Sequence, residues 1–339
     1  MDTVHKHFAR ALRRTPGIVV GVLENDQLEV TALGTIEHEP DPASLCWEIG
    51  SITKVFTGLL LAEMSIRGEV GLNDPIGDHL PDPVAQRLPS PALQPTLTDL
   101  ATHTSGLPRL PVSIIRMVKG GDDPYSMLTE DDVFDYLGPK TQRPRRPRSR
   151  YSNYGMGLLG HLLAGTAGRP YSTLIQERLL GPLGMTATRI GSCGAATPTM
   201  QGFRKGKLTP PWTFGALEGA GGLRSTVNDL ITFARTCIDP PAGPVGEALQ
   251  LARQTFHHSR VPSGSKGLGW MLRTLDRQKR TTETTWHNGG TYGASSFLAV
   301  DAPRSLAVVS FGNVGPGLLA SLDSSSWAVF DSLGARKQP

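Results

Sequence analysis

The segment Glu48-Ile-Gly-Ser51-Ile-Thr-Lys54-Val-Phe-Thr-Gly-Leu-Leu-Leu-Ala-Glu-Met64 constrains the fold most. Its apolar residues cover most of the circumference of a helix, so the predicted helix has to be buried by other elements. Strand patterns lie on both sides of it. Gly17-Ile-Val-Val-Gly-Val-Leu and Gln27-Leu-Glu-Val-Thr-Ala-Leu flank Glu24-Asn-Asp as a hairpin. Strand-like runs return at 267–273, 282–287, 295–301 and 305–312. Residues 68–190 are punctuated by proline, with helical stretches at 97–103, 131–137, 153–167 and 171–180. A short amphipathic helix over 2–14 opens the chain, and an apolar-periodic helix over roughly 317–334 closes it. The pattern predicts an α/β fold in which one mixed sheet is assembled from the two ends of the chain. Residues 1–73 plus 195–339 make the sheet domain, residues 74–194 an inserted all-helical domain, and the active site lies in the groove between them.

Composition excludes several classes. Hydrophobic residues are 38% and charged residues 19% of 339, the balance of a globular protein rather than a disordered one. The longest apolar run, around Leu59–Ala62, is far short of a membrane span, and the polar stretch from Met1 has no secretory pattern, so a cytoplasmic protein without membrane association is expected. Three scattered cysteines, Cys46, Cys193 and Cys237, have no metal spacing and read as incidental thiols of a reducing compartment. The net charge of +4 weakly invites a nucleic-acid partner. Only Arg143, Arg145, Arg146, Arg148 and Arg150 cluster, without a nucleic-acid-binding motif, so no nucleic-acid function is expected. The cluster ends one residue before Tyr151 and is placed to guide an acidic substrate or carrier.

Ser51 and Lys54 are three apart at the start of the buried helix, so they share one face. A serine hydroxyl needs a base to become a nucleophile, and a lysine serves when desolvation or nearby cations lower its pKa. The helix N-terminus adds N–H groups and positive potential where an oxyanion would form. Ser-x-x-Lys alone is weak, since about 0.6 chance matches are expected with 24 Ser and 9 Lys. Tyr151-Ser152-Asn153 precedes another helix, and His287-Asn288-Gly289-Gly290 ends a strand-like run. Each of these two patterns is expected only about 0.1 times by composition.

With these three motifs in this order, the chain resembles the serine β-lactamase and penicillin-binding-protein family, in the branch of class C β-lactamases, D-alanyl-D-alanine peptidases and related esterases and transacylases. Similar segments run from about residue 15 to 312, among them Gly68–Pro75, Leu97–Pro108, Gly181–Thr186 and Gly219–Thr226. The resemblance implies the class C β-lactamase / D-alanyl-D-alanine peptidase fold, a mixed antiparallel sheet flanked by helices with the helical insertion. It implies that Ser51 forms an acyl-enzyme, Lys54 helps deprotonate it, and Tyr151 relays the proton to the leaving group and then activates the acceptor. Asn153 would hydrogen-bond substrate or Lys54. The N–H groups of Ser51 and Gly290 would form the oxyanion hole, with His287 and Gly289 beside it. No metal or organic cofactor is implied.

His287 departs from the family pattern, which carries a lysine there to attract a substrate carboxylate. A histidine is mostly neutral at pH 7. This favours an esterase or a transacylase that moves an acyl group from a small-molecule donor to water, an amine or an alcohol, in a biosynthetic pathway. The alternative is a β-lactamase or D-alanyl-D-alanine carboxypeptidase. A non-catalytic binding module is disfavoured because Ser51, Lys54 and Tyr151 are all present. His103 and the pair Gly221-Gly222 read as architectural, and Trp212, Phe214 and Tyr292 as pocket wall or ordinary packing.

Overall fold

A computed structural model describes residues 2–13, 15–111, 121–194, 197–259, 264–276, 281–315 and 321–335. A seven-stranded sheet is built from β1 (Gly17–Glu24), β2 (Gln27–Gly34), β3 (Ser265–Lys266), β4 (Met271–Asp276), β5 (Thr281–Gly290), β6 (Ser295–Asp301) and β7 (Leu306–Gly312). The spatial order is β2-β1-β7-β6-β5-β4-β3, and every neighbouring pair is antiparallel. The central pairing β1–β7 joins the two ends of the chain, as the strand pattern predicts. Asn25 and Asp26 turn the hairpin at φ 48° and 66°, the conformation that asparagine and aspartate tolerate best.

Alternation along the strands sorts their side chains into two layers. Val19, Leu23, Leu298, Val300, Val309 and Phe311 pack into the main core on the face covered by helix α4 (Val227–Ile238), and the same core takes in helix α2 (Thr53–Ile66). Ile18, Val20, Phe297, Ala299 and Val308 pack on the other face beneath α1 (Asp2–Phe8) and α6 (Ser321–Ala335). β6 and β7 are buried on both faces, which is why their sequences are almost continuously apolar. Residues 316–320, where the closing helix is expected to begin, lie outside the described residues.

Every residue of α2 from Thr53 to Met64 is buried, Lys54 and Glu63 included. Glu63 is held by Arg178 at 2.8–3.1 Å and by Arg67. Gly58 lets the helix approach the 268–269 loop, because a Cβ there would stand 2.2 Å from Leu268 O. Between Ile66 and the sheet's return lie α3 (Asn153–Ala167), α4 (Val227–Ile238), α5 (Pro244–Ala252) and short helical turns. The expected helix 171–180 is α-helical over Tyr171–Ile175 and continues as a wider π turn over Gln176–Leu180.

The cysteine expectation is corrected. Cys46 and Cys193, 147 residues apart, form a disulfide, and only Cys237 is a free, buried thiol. The bond ties the chain just upstream of Ser51 to the segment around Cys193. Replacing both cysteines by alanine is expected to cost about 2–5 kcal/mol. A lowered Tm that matches that of the reduced wild-type protein checks this; an identical Tm with and without reductant would contradict the bond.

Candidate active site

Ser51 sits in a single 3-10 turn, Gly50–Ile52, that leads directly into α2. One turn later Lys54 places Nζ 3.0 Å from Ser51 Oγ and hydrogen-bonds the Ala220 carbonyl. Tyr151 Oη donates to Ser51 Oγ at 2.6 Å from across the groove. Ser51 and Tyr151 are partly exposed, whereas Lys54 is completely enclosed. Ser51, Lys54 and Tyr151 are therefore one hydrogen-bonded cluster, although Tyr151 is 100 residues from Ser51 in sequence.

Local geometry fixes Tyr151. Ser152 caps α3, accepting from Gly155 N at 2.8 Å and donating to Pro108 O at 2.5 Å. The next two N–H groups, of Asn153 and Tyr154, donate to Arg109 O at 3.1 and 3.0 Å. Two of the helix's unpaired donors are thus bound to a neighbouring loop. That loop starts from Asp99, whose carboxylate caps its own helix, accepts from Thr104 and pairs with Arg143 at 2.7 Å. His103, at φ 62°, lies 4.6 Å ring to ring from Tyr151 and close to Ser152 N.

The third wall is the end of β5. Gly289 and Gly290 pass the nucleophile turn at close range: a Cβ on Gly289 would be 2.9 Å from Ser51 N, and one on Gly50 2.7 Å from Gly290 N. Ser296 Oγ donates to Ile49 O at 2.8 Å and locks the strand to the turn. The close approach brings the backbone carrying Ser51 N and that carrying Gly290 N to the same end of the groove.

Burial pushes the Lys54 pKa well below 10.5, and the Arg109 charge pushes it the same way. Burial raises the Tyr151 phenol above its usual 10, so it stays protonated. His287 is enclosed, with Nδ1 2.6 Å from Asn288 O, and burial together with the Lys54 charge lowers it to about 3. It is a neutral imidazole.

Of the two partners expected for Asn153, substrate or Lys54, the structure does not bring Lys54 to it. The Asn153 Nδ2 donates to Tyr125 Oη at 2.6 Å, and Oδ1 is buried without a partner. Tyr125 belongs to an aromatic wall with Trp212, Phe214 and Tyr292. Glu48, just before the nucleophile turn, accepts from Trp212 N at 2.6 Å and Thr291 Oγ1 at 3.0 Å, joining that wall to the end of β5. Gly221 is no bare turn: a Cβ there would lie 2.1 Å from the Phe214 ring. Sequence reasoning missed Arg109, Tyr125, Glu48 and the Ala220 carbonyl. No motif marks them in the sequence; the rarity of tyrosine, six in the chain, is the one signal that could have pointed to Tyr125.

Comparison with known proteins places this geometry. The family model described as Beta-lactamase matches residues 4–322, and the chain belongs to that family. A β-lactamase of Pseudomonas fluorescens is 27% identical over 264 residues, covering 76% of this chain and 69% of the relative. The D-alanyl-D-alanine-carboxypeptidase/endopeptidase AmpH of Escherichia coli K12 is 31% identical over 189 residues, covering 55% of this chain and 47% of AmpH. The crystal structure of a class C β-lactamase from Rhodobacter sphaeroides superposes with a TM-score of 0.81 at 22% identity, covering 98% of this chain and 99% of that one. The fold is the α/β fold of class C β-lactamases, and the chain is a serine enzyme of hydrolase or acyl-transfer type.

Lys54 accepts a proton only when neutral, so Ser51 acylation is present above its lowered pKa and lost as the pH falls through it. His287 is neutral on both sides of pH 6.5. The pH profile of acylation is therefore expected to keep its acidic midpoint in His287→Gln. A midpoint that moves in this variant would assign the limb to His287.

Proposed function

We propose that this member of the β-lactamase family is a serine hydrolase that opens an amide or ester carbonyl through an acyl-Ser51 intermediate, in the substrate range of β-lactamases and D-alanyl-D-alanine carboxypeptidases. The observation that carries the reading is Ser51 Oγ held between Lys54 Nζ and Tyr151 Oη. Lys54 donates to Ala220 O, and its Nζ stands 3.0 Å from Ser51 Oγ, within reach of the Ser51 proton once the amine is neutral. Lys54 takes the proton as Ser51 attacks, and the Ser51 and Gly290 amides stabilise the oxyanion. Tyr151, protonated and 2.6 Å from the same oxygen, delivers a proton to the leaving group. It recovers one from the incoming water, whose attack releases the acid.

The named relatives support this substrate range. The Cys46–Cys193 disulfide supports an oxidising compartment, against the cytoplasmic expectation. Among the described residues no helix is long and apolar enough to cross a membrane. The exposed Arg145, Arg146, Arg148 and Arg150 support attraction of an acidic substrate to the groove.

A second reading, an esterase or a biosynthetic transacylase, is favoured by one observation. His287 is neutral where the resemblance expects a carboxylate-binding lysine. Hydrolysis of a chromogenic cephalosporin and of a D-alanyl-D-alanine tripeptide is compared with that of a short activated ester, with and without a primary amine. The first reading predicts hydrolysis of a β-lactam or peptide to free acid, unaffected by amine. Amide formed faster than acid, with the β-lactam and peptide untouched, would replace it with the second. Ser51→Ala is expected to lose at least about 10³-fold in kcat and to show no acyl adduct by intact mass. Undiminished turnover in this variant would overturn both readings.

A further inference from the structure

With Lys54, His103 and His287 held neutral by burial, the cations that act on this cluster are Arg109 and Lys266. Tyr125 adds a phenol, and no carboxylate acts on the cluster. Glu48 lies near Ser51 in sequence, but it is buried and occupied by Trp212 N and Thr291 Oγ1. Asp123 accepts from Thr213 through Oδ2, and its Oδ1 is buried. No carboxylate pairs with the Arg109 guanidinium among the described residues, so that charge favours an anion brought by the substrate.

One of these cations is built into the wall. The Arg109 carbonyl is fixed by the first two N–H groups of α3, and its guanidinium carbon stands 5.5 Å from the centre of the Tyr151 ring. Arg109 is exposed, and its guanidinium has no hydrogen bond or ion pair among the described residues. Two other arginines are committed, Arg143 to Asp99 and Arg204 to Asp122 and to the Tyr292 face. Lys266, half-buried on β3, is a second unpaired cation on the sheet side. A guanidinium offers a planar fork of donors that fits a carboxylate, and water leaves this site more readily than it would leave an ammonium.

We infer that Arg109, on the wall carrying Tyr151 and Asn153, is the residue that recognises a substrate carboxylate in this protein, in place of a cation at strand position 287. The inference rests on the acyl-Ser51 reading and adds where the substrate's charge is read. Arg109 is a specificity residue: its fork pairs with the carboxylate while the acyl carbonyl sits between Ser51 and Gly290. The His287 imidazole, neutral and tied to Asn288 O, leaves the strand edge suited to an uncharged part of the substrate.

Two pairs of esters test this: p-nitrophenyl hemiglutarate against its terminal carboxamide, and m-carboxyphenyl butyrate against its carboxamide. They place the charge on the acyl and on the alcohol side. The quantity read is the ratio of kcat/KM within each pair, at low and high salt, with the acyl adduct on Ser51 followed by mass. At least one ratio is expected to favour the carboxylate by about 10-fold or more. Arg109→Gln is expected to bring that ratio towards one and Arg109→Lys to keep part of it. The preference is also expected to fall with added salt in the wild type and, for the part it keeps, in Arg109→Lys, but not in Arg109→Gln. These replacements leave the Arg109 carbonyl and its two hydrogen bonds in place, and a ratio is insensitive to the amount of folded enzyme. Ratios near one in the wild type, or a preference that survives in Arg109→Gln, would overturn the inference and leave the acyl-serine reading standing. Failure of all four esters to acylate Ser51 would overturn both.

Discussion

Lys54 is the point on which the rest of the structure depends. An ammonium enclosed without a carboxylate is heavily penalised, and the amine adopts its neutral form instead. Here the enclosure is complete, and Lys54 meets a hydroxyl, a carbonyl and the face of the Tyr151 ring. The helix carrying it must then be covered on every side. Phe233 of α4 packs on its Phe56, α5 lies against it, the 268–269 loop covers Gly58, and the turn ending in Ala220 supplies the carbonyl. Burying α2 thus serves packing and chemistry together: the forces that fill the core also set the protonation state of the base.

Around that base the groups divide into those that move protons and those that set the field. Tyr151 is held in reach of Ser51 by a capped helix whose first donors are bound to the Pro108–Arg109 loop. The same loop brings the Arg109 guanidinium over the Tyr151 ring, so one piece of backbone positions both a proton carrier and a cation. The strand edge is held by Ser296 and by glycines whose bare Cα atoms allow Gly290 to pass the nucleophile turn. With His287 neutral, the positive charge of the groove has shifted from the strand towards the helical wall.

Much of this was legible in the sequence. The apolar circumference of residues 53–64 announced a buried helix, and the doubly apolar runs of β6 and β7 announced a covered sheet. Ser51, Lys54, Tyr151 and Gly290 were found because their chemistry needs fixed residue types in short motifs. The features that escaped are long-range. Spacing alone says nothing about the partner of a cysteine 147 residues away, so Cys46–Cys193 read as two thiols. Asn153 was assigned to substrate or Lys54, and nothing in Tyr-x-Asn indicates that Tyr125, from a Pro-punctuated loop, reaches its Nδ2. Arg143 looked like one of five equivalent arginines, yet its pairing with buried Asp99 makes it part of the scaffold. Arg109 carried no motif, because its position follows from where its carbonyl is pinned.

The account stands on a lysine that is neutral while the enzyme works, and the ionisation of Lys54 tests it most directly. Lysines labelled with ¹³C at Cε are titrated by NMR, and the Lys54 resonance is assigned from the spectrum of Lys54→Met. The account predicts that this resonance titrates well below 10.5, clear of the exposed lysines. A Lys54 that titrates with the exposed lysines would make it a permanent cation and remove the base from beside Ser51.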